Sequence, residues 1–225
     1  MSEHIVTLGP VRTAGLVASS SLLLAGAAWA VRAGWEVRLA GAGEPASGPP
    51  DQGDGRHRTL TSLENGYHLV SSAGGVITVV CAIAFLVWLG RVRGNARLLS
   101  GRAPRYSGLW VLLGWVLPVA NLWIPRGIVA GAYRDSAGER PLPRAVNVWW
   151  GLWLIGTFSG VGLIYRNSTD ELIARAYDNV WPLVLSDLAL VGAAVAGAMV
   201  VRAVTRVQTE REGEDFVRAE AGAHV

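Results

Sequence analysis

Asp187 is the residue whose position asks most plainly for chemistry. It lies about two turns into 180–201, a run with no other charge. A carboxylate in such a run either has a buried partner or serves a site. As a site it would relay a proton or cation, or act as a general acid. As structure it would accept hydrogen bonds or pair with Arg126, Asn121 or Asn147, or sit near the interface beside Trp181. The structural explanation is the more economical. Glu64, His68 and Ser72 recur at i, i+4 and i+8 and therefore share a helix face. Carboxylate, imidazole and hydroxyl are the ingredients of a nucleophilic site. Neighbours on one helix rarely reach that geometry, however, and Thr61-x-x-Glu64 already reads as a capping box. Trp110, Trp115, Trp123, Trp149, Trp150 and Trp153 could form an aromatic cage for a cation; interfacial anchoring and packing explain them more simply.

Other chemistries are excluded by residue type. All 20 basic residues are arginine, which rules out a Walker-type phosphate loop and a Schiff-base lysine. Cys81 is alone, so one chain contains no disulfide framework or Cys-rich metal site. His4, His57 and His224 are scattered through polar segments without ligand spacing. No HExxH, GxSxG or dinucleotide-binding pattern occurs. We therefore expect no metal and no cofactor. With a net charge of only +3, the arginines read as topology signals, and no nucleic-acid partner is expected.

The elements that must position these residues are membrane helices. The 225-residue chain is 51% hydrophobic and 16% charged, against about 25% charged in ordinary soluble domains. Charge-free apolar runs account for the excess and predict spans at 14–31, 69–90, 146–165 and 180–201. Residues 1–31 read as a polar lead and a retained span; the rival is a cleaved secretory signal ending at Ala28-Trp29-Ala30. Residues 32–66 are rich in Gly, Pro, Ser and Asp and predict a flexible loop. Ser168-Thr169-Asp170-Glu171 predicts a second capping box, opening a short amphipathic helix. The tail 208–225 is of mixed charge. Gly26 with Ala30, Gly156 with Gly160, and the small residues of 192–198 suit close helix contact.

The stretch 108–133 decides the architecture. Its first ten residues make an apolar helix too short for a core of about 30 Å. Pro118 lacks an N–H, so the chain can turn at 118–121, where Asn121 can satisfy freed backbone groups. Pro125 suits the first turn of a second, amphipathic helix running to about Ser136. Cytoplasmic loops carry the arginine excess, so the two topologies can be compared by counting. If 108–133 crosses, only Arg12, Arg91, Arg93, Arg97, Arg102, Arg105, Arg166 and Arg175 lie inside, 8 against 12. If it returns, the inside set is Arg12, the five of 91–105, Arg126, Arg134, Arg140, Arg144, Arg202, Arg206, Arg211 and Arg218, 14 against 6. The expected fold is an all-α polytopic integral membrane bundle: four full spans plus a proline-broken re-entrant or interfacial hairpin, with both termini cytoplasmic. Five spans is the alternative.

The arginine-rich loop, Tyr106-Ser107-x-x-Trp110, Gly114-Trp115-x-x-Pro118-x-x-Asn121-Leu122-Trp123-x-Pro125 and Trp149-Trp150-x-x-Trp153 together resemble the bacterial membrane domain-of-unknown-function family numbered 4328. The likeness covers residues 85–201. Arg126 departs from it, standing where the family pattern calls for a tyrosine or similar residue. The resemblance implies a small polytopic protein of the bacterial plasma membrane, gives it no assigned activity and supplies no catalytic residues. The expected role is a membrane scaffold or regulatory subunit, acting through helix contacts and the broken hairpin (Pro118, Asn121, Trp123, Pro125, Arg126). The rivals are a small transporter or channel component with Asp187 as relay, and a membrane-embedded enzyme acting on a lipid or isoprenoid. Expected partners are the bilayer, anionic lipids near the 91–105 loop, and a second copy or another membrane protein.

Overall fold

The computed structural model describes residues 10–53, 55–103, 105–117, 119–159 and 168–223, with side chains to residue 214. Among these it is all-helical: α1 (Arg12–Ala42), α2 (Ser62–Ser100), α3 (Trp110–Val116), a 3-10 turn (Ala120–Leu122), α4 (Ile124–Ala137), α5 (Arg144–Phe158), α6 (Thr169–Asp178) and α7 (Trp181–Ala223). Three of these, α1, α2 and α7, are long and apolar enough to cross a membrane. Of the most apolar 18-residue stretch, 11% is buried in α2 and 67% in α7, so α7 is an inner helix and α2 an outer one. On α2, Leu69, Val76, Val79, Val80, Ile83 and Val87 face outward while Tyr67, Cys81, Phe85, Trp88, Leu89 and Val92 face inward. A helix apolar on both faces, with one of them uncovered, is what lipid contact selects. These helices point to a membrane protein.

The long helices overrun the expected spans. α1 continues from Val31 to Ala42 and α2 begins at Ser62, so only 43–61 of the predicted loop 32–66 lies between them. The reason is periodic: Ala33, Glu36 and Leu39 keep the inward spacing of α1 after the charge-free run has ended. Gly43, at φ 76°, then closes the helix through its N–H to Leu39 O at 3.1 Å. The connection is itself shaped, with Gln52 N donating to Arg56 O at 2.9 Å and Arg58 Nε to Gly48 O at 2.7 Å. Helix α7 likewise carries on beyond 201 into the charged tail. The expected span 146–165 is helical over α5, 15 residues or roughly 22 Å. Residues 160–165 lie outside the described residues, as do His4, Pro118, Gly160 and His224, and a fourth full span is not established.

Both capping boxes form. Glu64 N donates to Thr61 Oγ1 at 3.3 Å and Thr61 N to Glu64 Oε2 at 2.7 Å. Ser168 and Glu171 exchange the same pair of bonds at 3.2 and 3.0 Å.

The fold has two compact units. Unit 1 comprises the described parts of 1–20, 82–147 and 197–225. Its buried apolar side chains include Trp88, Leu89, Val92, Ile128, Val129, Val201 and Val204. A buried amide ties three helices together here: Gln208 Nε2 donates to Val92 O (2.9 Å) and Ser136 Oγ (2.8 Å), and its Oε1 accepts from Asn95 (3.4 Å). Trp88 Nε1 donates to Thr205 Oγ1 at 3.0 Å. The stretch 108–133 lies wholly in this unit. α3 spans roughly 10 Å and α4 roughly 21 Å, and they pack together where a Cβ on Gly114 would meet Ile124 Cγ2 at 2.8 Å. Pro125 occupies the first turn of α4, where its missing N–H costs nothing.

Unit 2 comprises Ser21–Cys81 and the described parts of 148–196. Leu39, Tyr67, Leu172, Ile173, Ala176 and Leu183 form its apolar cluster, joined by Trp35, Leu63 and Tyr177. Of the expected small-residue faces, Gly26, Gly156 and Gly192 pack against neighbours inside this unit, whereas Ala30 is exposed. A Cβ on Gly26 would meet Ala194 at 2.9 Å, one on Gly156 would meet Leu190 at 2.6 Å, and one on Gly192 would meet Leu152 at 2.9 Å. Gly156→Leu should therefore destabilise the protein by about 1–3 kcal/mol through overpacking. Gly151→Leu on the same helix, where a Cβ meets nothing within 4 Å, should be close to neutral. Denaturant titration of both variants in mixed micelles checks the contrast; equal losses would contradict the packing described.

Candidate functional site

The candidate site is a buried polar cluster within unit 2. Asp187, on α7, is fully buried. Arg32 of α1 chelates it, Nε donating to Oδ2 at 2.8 Å and Nη2 to Oδ1. This fork-on-carboxylate geometry is the strongest arrangement open to an ion pair. One turn on, Glu36 is also fully buried; its Oε1 lies 3.5 Å from Arg32 Nε and accepts a hydrogen bond from Tyr67 of α2 at 2.9 Å. Two carboxylates thus share one guanidinium, and Glu36 Oε2 has no hydrogen-bond partner among the described residues. The Arg32 guanidinium also stacks over Trp29, 4.2 Å from the ring centroid.

A second cluster surrounds Glu64. Arg58 approaches it with two nitrogens, at 2.6 and 2.9 Å, Tyr177 donates at 2.8 Å, and Thr61 N closes the cap. The paired carboxylate holds the Arg58 guanidinium above its ordinary range, chiefly through this hydrogen bond. Burial first, and then the bond to Glu64, push the Tyr177 phenol up and keep it a neutral donor. Nearby, His68 Nε2 and Asp170 Oδ1 are 2.7 Å apart, and His57 Nδ1 lies 3.6 Å from Asp170 Oδ2.

The sequence-predicted candidates are therefore dispersed. Glu64 is saturated by Arg58, Tyr177 and Thr61, His68 turns to Asp170, and Ser72 is exposed. Helical spacing aligned the three, but Glu64 and His68 turn to different neighbours and Ser72 faces outward, so they do not assemble a nucleophilic relay. The expected partners of Asp187 lie elsewhere: Arg126 donates to Asn147 Oδ1 at 3.0 and 2.6 Å, and both belong to unit 1. Asn121 is buried in unit 1 with its Oδ1 unpartnered among the described residues, so this oxygen does not satisfy freed backbone there. Trp123 is exposed and Pro125 buried. Arg32, Glu36, Tyr67 and Arg58 are the residues that sequence reasoning passed over. The available signal was Arg32-x-x-x-Glu36, an i, i+4 pair directly after a charge-free run.

No group of three or more His, Cys, Asp or Glu able to hold a metal occurs among the described residues. Chemically, the Arg32–Asp187 chelate is a clamp, and Glu36 Oε2 is the one carboxylate oxygen in its cluster that remains open.

Residues 63–206 match the family described as Domain of unknown function (DUF4328). The chain belongs to this family. The match takes in α2 from its first turn, the whole α3–α4 stretch and Asp187, whereas Arg32 and Glu36 precede the DUF4328 region. No curated protein matches the chain, and no solved structure matches it.

Truncating one member of a buried pair leaves the other charge uncompensated, so Asp187→Ala and Arg32→Ala should each cost about 3–5 kcal/mol. The apolar double variant Arg32→Met/Asp187→Leu should cost far less than the two singles together. A double-mutant cycle of unfolding free energies in mixed micelles measures the coupling; additive losses would refute the chelate.

Proposed function

We propose that this DUF4328 protein is an integral membrane scaffold or regulatory subunit, working through its helices and the hairpin at 108–133. The observation that carries the reading is the Asp187 carboxylate, both of whose oxygens are taken by Arg32. An intramembrane acid occupied in this way holds helices together and is a poor stepping-stone for ions. The polar interior then serves architecture, and recognition falls to outward apolar surface. In the hairpin, Leu112, Val116, Val119 and Trp123 are exposed and available to a second copy or another membrane protein.

The topology proposed with this role has four spans, a re-entrant or interfacial hairpin and both termini cytoplasmic, in a bacterial plasma membrane. It is supported by the membership of unit 1: Arg12, Arg91, Arg93, Arg97, Arg102, Arg105, Arg126, Arg134, Arg140, Arg144, Arg202, Arg206 and Arg211 all belong to it. Clusters on both sides of the hairpin thus share one unit, as the positive-inside bias requires if the hairpin returns. The arginines at 91–105 would meet anionic headgroups.

A transporter or channel component is the second reading, and Glu36 favours it. A buried carboxylate with an open oxygen, next to a paired acid, is what a proton-carrying step needs. The two readings separate experimentally. A photo-crosslinking amino acid at position 123 should trap a discrete protein adduct in membranes, and purified protein in liposomes should show no proton or ion flux. Flux by wild type that Glu36→Gln abolishes would overturn the scaffold reading in favour of the second.

A further inference from the structure

The arginine-rich unit also contains a groove of about 440 Å³ between the start of α1 and the second half of α7. At its base the helices approach closely: a Cβ on Gly15 would collide with the Thr205 side chain. Leu16, 67% exposed, supplies an apolar wall. Arg12 and Arg202 also line the groove, both exposed and both without an ion-pair or hydrogen-bond partner among the described residues. Arg206 lines it too, with its Nε on Glu210 at 2.7 Å, and Glu210 receives Arg140 at the same distance. The one acid in the groove is thus already met by two guanidinia, leaving the charge of Arg12 and Arg202 uncompensated.

The position of these arginines suggests what compensates them. Arg12 lies just before the apolar run 14–31, and Arg202 directly follows the run 180–201. Both therefore stand where an apolar layer gives way to headgroups. We propose that the groove binds the headgroup phosphate of an anionic glycerophospholipid, with Arg12 and Arg202 on the phosphate oxygens and Leu16 against the first acyl methylenes. Guanidinium forks match phosphate oxygens in pairs, and basic pockets between membrane helices on the cytoplasmic side are built for such lipids. A zwitterionic lipid would bring an ammonium group towards the same arginines and bind less well. The site is separate from the exposed Arg97, Arg102 and Arg105 of the loop, and it rests on the proposed cytoplasmic placement of unit 1, not on the scaffold role.

The test is native mass spectrometry of the full chain in mild detergent, titrated with phosphatidylglycerol, phosphatidylcholine and soluble glycerol phosphate. Wild type should retain phosphatidylglycerol in preference to phosphatidylcholine, and glycerol phosphate should not displace it. Arg12→Gln/Arg202→Gln should lower that retention by roughly tenfold or more, since each arginine near an anionic surface contributes about fivefold. Each single variant should lose part of it, and the loop control Arg97→Gln/Arg102→Gln, whose arginines meet headgroups only diffusely, should lose markedly less than the double variant. Because Arg12 and Arg202 are exposed, the variants should unfold at the wild-type temperature without added lipid. The proposal fails if the double variant retains the lipid as wild type does. It also fails if the loop control loses as much, which would indicate a diffuse basic surface, or if glycerol phosphate competes, which would indicate a site for free phosphate.

Discussion

A charge placed in an apolar layer has to be answered from within the fold, because no water is there to answer it. Arg32 and Asp187 meet that constraint directly, and much of unit 2 follows from their meeting. To bring the guanidinium to the carboxylate, α1 must run on past Val31 and lie beside α7. Glu36, one turn further, then recruits Tyr67 from α2. Three long helices are thereby fixed in register by four side chains. Nondirectional packing of Val, Leu and Ala would not by itself specify that register. Unit 1 solves the same problem without charge, by satisfying the Gln208 amide from α2 and α4.

Local pattern and long-range pairing divide what could be read from the chain. The caps at Thr61/Glu64 and Ser168/Glu171, the role of Pro125 and the short helices on either side of 118 are local, and each follows from residues within four positions of one another. The significance of Asp187 was visible because it interrupts an otherwise charge-free run. Its partner was not, because 155 positions separate the two residues, and because Arg32, Glu36 and Arg38 together look like the end of a span. A count of apolar residues stops at the first charge, whereas the helix stops only when its backbone bonds do. Asn95 and Gln208 were hidden for a related reason, lying in segments whose composition suggests solvent. The small residues were legible as contact surfaces, but composition could not show that Gly26, Gly156 and Gly192 meet neighbours of their own chain.

The functional picture follows from which surfaces remain. Inner faces are committed to the clamp, the amide bridge and the glycine contacts. The outward faces of α2 and of the hairpin are apolar and uncovered, while most of the arginines belong to unit 1. Three helices long and apolar enough to cross a bilayer, with uncovered apolar faces, fit a membrane protein, and the proposed scaffold role draws on those same faces.

In the proposed topology the chain turns back between its two arginine clusters, and side-specific labelling reads this out. With Cys81 replaced by alanine, single cysteines at Ser100, Glu139 and Gln52 would be probed in intact cells with a membrane-impermeant maleimide. The account predicts that positions 100 and 139 are both protected until the membrane is permeabilised, while position 52 labels at once. Opposite reactivity at 100 and 139 would contradict it and make 108–133 a crossing segment.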